Sequence, residues 1–127
     1  MVRNTNLARR AYETSAKSTG TPRSIEYNLF LRLTSALSTA EENKINNHSS
    51  YIDALSWNLE LWTTIGADVS SHENALPASL RGQLFFLFEF TQYHTKRLLS
   101  GDTSLSAEPL IEINRNIMTG LNVCVSE

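Results

Sequence analysis

Trp57-Asn58-Leu59-Glu60-Leu61-Trp62 and, further along, Ile113-Asn114-Arg115-Asn116-Ile117-Met118-Thr119-Gly120-Leu121 each set asparagine inside a strong apolar repeat. Asparagine is a weak helix former because its amide competes for backbone hydrogen bonds, so a generic amphipathic helix would not carry it there. The apolar residues around it nevertheless recur at three and four, which is helical spacing. Both segments therefore read as helices that hold something specific at the asparagine.

The same spacing extends outward from these two segments. Three prolines, five glycines and no sustained alternation leave little support for a sheet. The expected fold is all-α, a compact bundle of four longer helices plus a short N-terminal helix. That short helix runs from about Asn6 to Lys17 and ends in Ser18-Thr19-Gly20-Thr21. Thr21 caps the second, with Pro22 at its first position, where a missing N–H does no harm. Its buried stripe is Ile25, Leu29, Leu33, Ala36 or Leu37, and Ala40.

The asparagine-rich stretch Asn43 to Ser50 interrupts the pattern, and Ser49 or Ser50 is the expected cap of the third helix, Tyr51 to about Val69. Its inner faces are Ile52, Leu55, Leu59 and Trp62, with Ala54, Leu61 and Ile65 beside them. Pro77 opens the fourth, with Leu80, Leu84, Leu87 and Phe88 on one stripe and Phe86, Phe90 and Tyr93 opposite. A helix apolar nearly all round is central in its bundle or keeps one face for a partner. Gly101 ends it. Ser106 caps a fifth helix, with Pro109 in its first turn and Leu110, Ile113, Ile117 and Leu121 as its stripe. Residues 1–127 are expected to form one helical domain: an arm and short helix over 1–20, the bundle over 21–123 and a tail over 124–127.

A chain of 127 residues with 41% hydrophobic content can bury a core of its own. Its net charge of -2 and pI near 5.9 argue against gripping nucleic acid by phosphate neutralisation alone. The charge is uneven, however: residues 1–32 hold Arg3, Arg9, Arg10, Lys17, Arg23 and Arg32 against Glu13 and Glu26, and the rest is acidic. Arg9, Arg10 and Tyr12 make this basic arm a candidate docking segment. Cys124 is the single cysteine, so neither an internal disulfide nor a multi-cysteine metal site is expected, and a reducing compartment, the cytoplasm, fits. The longest apolar run, Leu84 to Phe88, is far too short to cross a bilayer, and no apolar stretch follows the N-terminal arginines as a secretory signal requires.

No catalytic motif stands out. His48, His72 and His94 sit in separate segments without metal-ligand spacing, and there is no G-x-S-x-G, P-loop or G-x-G-x-x-G. No enzyme activity, metal or cofactor is expected. Glu41-Glu42 reads as a solvated helix end. The candidates for binding are aromatic. Trp57 and Trp62 are about 140° apart round a helix, so Trp62 enters the core and Trp57 lies toward the edge, as core cover or as a binding anchor. The same two readings apply to Phe86, Phe90 and Tyr93. Asn114 continues the buried stripe and its amide needs partners. Arg115 points away and can pair with Glu108 or Glu112, or reach a partner.

Together with Arg10-Ala11-Tyr12, Arg23-Ser24-Ile25-Glu26 and Asn74-Ala75-Leu76-Pro77-Ala78-Ser79-Leu80-Arg81, the two opening segments resemble, in order and spacing, the flagellar biosynthesis regulator family FlaF of alphaproteobacteria. The resemblance runs from about Arg10 to Leu121. It implies a small, helical, cytoplasmic, non-enzymatic protein needed for flagellin production and filament assembly, working alongside the regulator FlbT. It further implies binding of flagellin before export, as a chaperone, with the effect on flagellin translation following from that partnership. Direct RNA binding through the basic arm is the alternative. The chain departs from the family pattern at Tyr27-Asn28 and Phe30, where small residues are common, and in the loop Asn43 to Ser50.

Overall fold

The computed structural model describes residues 22–126, with side chains over 27–120. Four helices follow one another: α1 (Pro22–Glu42), α2 (His48–Val69), α3 (Ala78–Leu99) and α4 (Glu108–Ser126). No strand occurs among the described residues. The expected first helix and the basic arm with Arg9, Arg10 and Tyr12 lie outside them.

Local chemistry sets the helix ends. Asn47, rather than Ser49 or Ser50, caps α2: its side-chain oxygen accepts from the Ser50 N–H at 3.2 Å. The helix therefore starts three residues earlier than its apolar pattern does, because a cap is chosen by backbone geometry and not by the first buried side chain. At the end of α3, Gly101 takes φ +94°, and the Asp102 and Gly101 N–H groups donate to the Arg97 and Leu98 carbonyls. This paired closure needs a left-handed residue, which glycine supplies without strain. Ser106 Oγ accepts from Glu108 N–H at the start of α4, as its position in the sequence suggests.

α2 packs along α3, α1 along α4 and α1 along α2, whereas α3 and α4 barely touch. The interior divides into two apolar clusters. One joins Leu37, Ala40, Tyr51, Ala54, Leu55, Leu98, Leu110 and Ile111. The other joins Leu29, Phe30, Leu33, Leu61 and Trp62, with Trp57, Ile65, Leu84, Leu87, Phe88, Ile113, Ile117 and Met118 partly buried against it. The α1 stripe agrees with expectation at Leu29, Leu33, Leu37 and Ala40. On α2 the buried face is rotated: Tyr51, Ala54, Leu55, Asn58, Leu61, Trp62, Gly66 and Val69 are inside, while Ile52 and Leu59 are only half-buried.

Asn58 is at the centre of that face, and this accounts for the asparagines. Asn114 Nδ2 donates to Asn58 Oδ1 at 2.8 Å, and Asn114 Oδ1 accepts from Trp62 Nε1 at 2.9 Å, all three residues being fully buried. The hydrogen bonds run from α2 to α4 across the interior. Thr34 on α1 and Thr95 on α3 are buried polar residues as well. Each helix thus buries at least one polar residue, and those of α2 and α4 are hydrogen-bonded to each other.

Glu41 is a correction to the sequence reading. It is not a solvated end but a clamp between three elements: Oε1 accepts from Tyr51 Oη at 3.0 Å and from Ala107 N–H at 2.8 Å, and Oε2 pairs with Lys44 Nζ at 2.7 Å. Burial pushes its carboxyl up, but Lys44, Ala107 and Tyr51 together outweigh that and hold it below its ordinary 4.5. Burial and the Glu41 carboxylate raise the Tyr51 hydroxyl strongly in turn. A depressed folded-state value gives stability that is whole above the unfolded value and is lost as pH falls through the folded one. The urea midpoint is therefore expected to drop as pH is lowered below about 5. Glu41→Ala should cost about 1 kcal/mol at neutral pH, discounted for its exposure, and flatten that acid slope. An unchanged acid slope in the variant would remove Glu41 from the account.

Candidate functional site

The outward side of α3 carries Phe86, Phe90, Tyr93 and Arg97, which step by four, three and four and so lie along one face. Phe86 is 66% exposed, Tyr93 62% and Phe90 36%. Three aromatic rings in a row on a solvent face are far from the isolated apolar residues that any surface shows. The sequence left two places for this helix, central or partner-facing. Its first half holds no buried residue, so it is not central.

The rings are held in place from below and beside. Phe90 stacks on His94 with centroids 5.5 Å apart, and His94 Nε2 is 2.7 Å from the Ser106 carbonyl oxygen. Arg97 lies over the Tyr93 ring at 5.7 Å and pairs with Asp102 at 2.7 Å. Hydrogen bonds from Ser104, then the Arg97 guanidinium, hold the Asp102 carboxyl below its ordinary range. The tyrosine thus sits beside a cation whose charge is already partly engaged.

Beside the stripe, toward α2, is an open groove of about 390 Å³ lined by Val69, Ser70, Ala78, Arg81, Gly82, Phe85, Phe86 and Glu89. It sits at the corner where α2 ends and α3 begins. Phe85 packs edge-on to Phe88 at 5.6 Å, and Phe88 lies against Gly66 so closely that a Cβ there would meet its ring at 2.7 Å. The absence of a side chain at Gly66 brings α3 tight onto α2 and turns Phe85 and Phe86 outward. Gly82, by contrast, has open space around it.

The other candidates lie elsewhere. Trp57 is half-buried against the inner cluster and does not join the stripe. Arg115 is exposed on α4 and makes no ion pair with Glu108 or Glu112. Among the described residues no three histidine, cysteine or acidic side chains come together as metal ligands, and no helix is long and apolar enough to cross a membrane. Sequence reasoning missed the support under the stripe. The spacing of His94 from Leu84, Leu87 and Thr91 was a signal for it, because it places the imidazole on the inner flank.

Residues 8–121 match the family model described as flagellar protein FlaF. The chain belongs to the FlaF family. The match covers both asparagine segments and the whole of α1, α2 and α3, so the polar layer and the aromatic stripe of this FlaF-family chain both lie inside it. No curated protein and no solved structure matches the chain. This FlaF-family chain is a flagellar protein.

Proposed function

We propose that this FlaF-family chain acts without catalysis in the cytoplasm, binding flagellin before export and supporting flagellin production together with an FlbT-like regulator. The observation that carries the reading is the exposed row Phe86, Phe90 and Tyr93 on a rigid helix. Rings spaced by four and three match the side chains along one face of an amphipathic helix laid beside α3, the usual way such a helix is held. Flagellins have amphipathic terminal helices that polymerise when left free, so a partner covering them before export has a plain use.

The test is flagellin affinity and melting temperature measured on the same variants. Phe86→Ala and Tyr93→Ala are each expected to weaken binding by about 2 kcal/mol, the scale of an interface hot spot, with little change in melting temperature. Trp57→Ala should instead lower the melting temperature, as loss of core cover does. Affinity unchanged in both α3 variants would sink the proposal. A steep loss of binding with salt, with RNA in place of flagellin, would assign the activity to Arg9 and Arg10 instead.

A further inference from the structure

Phe90 is the middle ring of the outward row and the least exposed of the three. Its neighbour one turn on accounts for this. The His94 imidazole is tilted only 21° from the Phe90 ring plane, with centroids 5.5 Å apart, and lies along one of its faces. His94 is itself buried, and its other contact fixes it. A carbonyl oxygen only accepts, so the 2.7 Å contact with the Ser106 oxygen places a proton on Nε2, and that N–H donates. The Ser106 carbonyl belongs to the same peptide group as the Ala107 N–H, which donates to Glu41 Oε1 at 2.8 Å. This one peptide, in the turn before α4, is therefore gripped on both sides: by α3 through His94, and by α1 through Glu41, whose Oε1 also accepts from the Tyr51 hydroxyl of α2. An imidazole that swung away would break the first bond, and a carbonyl that followed it would strain the second.

We propose that His94 is a positioning residue of the aromatic face: locked by the Ser106 carbonyl, its ring holds Phe90 in one orientation before a partner helix arrives. The proposal rests on the docking reading above and deepens it, because it names what makes the face a rigid one. Ordering an exposed side chain on association costs free energy, and a ring already held by its support is spared that cost. The imidazole suits this task on two counts. Its flat ring stacks on Phe90, and its N–H anchors it to backbone that other helices hold in turn. An aliphatic side chain at 94 would offer neither the flat surface nor the anchor, and glutamine would offer only the anchor.

A double-mutant cycle on flagellin affinity, run on the full chain, tests it. His94→Gln is expected to weaken binding about tenfold in the parent, but by less than about twofold when Phe90→Ala is already present, since the wall then has no ring to hold. Equal losses in the two backgrounds would mean that His94 acts on the fold at large, and would overturn the proposal. So would a loss of less than about twofold in the parent, where Phe86→Ala and Tyr93→Ala do weaken binding. Affinity unchanged in those two alanine variants would instead strike the docking reading, and the proposal with it. Should His94→Gln not fold, the parent chain decides by nuclear magnetic resonance: Overhauser contacts between the His94 and Phe90 ring protons should be present in the free protein and persist when flagellin is added. Their absence from either state would refute the positioning role.

Discussion

Asn114→Ala is expected to destabilise the protein by about 4 kcal/mol, measured as the loss of unfolding free energy in urea. The alanine removes an acceptor from Trp62 Nε1 and a donor from Asn58 Oδ1 together, and both partners remain fully buried with nowhere else to turn. Each stranded group costs about 1–3 kcal/mol, and the small cavity adds to it. Asn58→Ala strands fewer groups, because the Trp62 hydrogen bond survives, and its cost should be about half. Equal losses in the two variants would mean that the bond to Trp62 contributes little. Against a total stability of about 5–15 kcal/mol, the larger loss is a sizeable share.

At Gly66 the expected effect comes from adding atoms rather than removing them. Its missing side chain is filled by Phe88, whose ring Cγ and Cδ2 would both lie 2.7 Å from a new Cβ. That is well inside contact distance, and the ring is backed by Phe85. Gly66→Val should cost about 3 kcal/mol, since overpacking forces the α2–α3 pair apart and the small gain in helix propensity does not offset it. Gly66→Ala should cost about half as much, with part recovered by Phe88→Leu in the same chain. Gly82→Ala provides the contrast. With nothing within 4 Å and a helical backbone, it is expected to stabilise by about 0.5–1 kcal/mol. A loss at Gly82 comparable to that at Gly66 would show that the contact with Phe88 is not the cause.

The helices were legible from the sequence because each depends on neighbours three and four residues away. The start of α1 at Pro22, the stop at Gly101 and the buried Leu29, Leu33, Leu37 and Ala40 all follow from that local rule. The asparagines were legible as anomalies, and burial of Asn114 followed from its place in the stripe. What could not be read was the pairing across the bundle. Nothing near Glu41 in sequence reveals that the Ala107 N–H, in the turn just before α4, donates to it. The rotation of the α2 face has a similar origin: Ile52 and Leu59 are as apolar as Leu55 and Leu61, and only the positions of α1 and α3 choose between them. The stripe on α3 was half legible. Its rings were visible in the sequence, but their exposure depends on which side of α3 faces α2, and Gly66 sets that.

The buried asparagine pair also acts as an index mark for the assembly of the helices. Leucine packs against leucine almost equally well in several alignments, so the two apolar clusters give adhesion without saying where along its neighbour a helix must stop. Sliding α4 past α2 by one turn, about 5.4 Å, would carry Asn114 into leucine side chains and leave the Trp62 indole N–H bare. Only one alignment keeps Asn58, Trp62 and Asn114 together. Drift within either cluster is therefore tolerable when volume is kept, whereas a change at 58 or 114 has to be answered on the opposite helix.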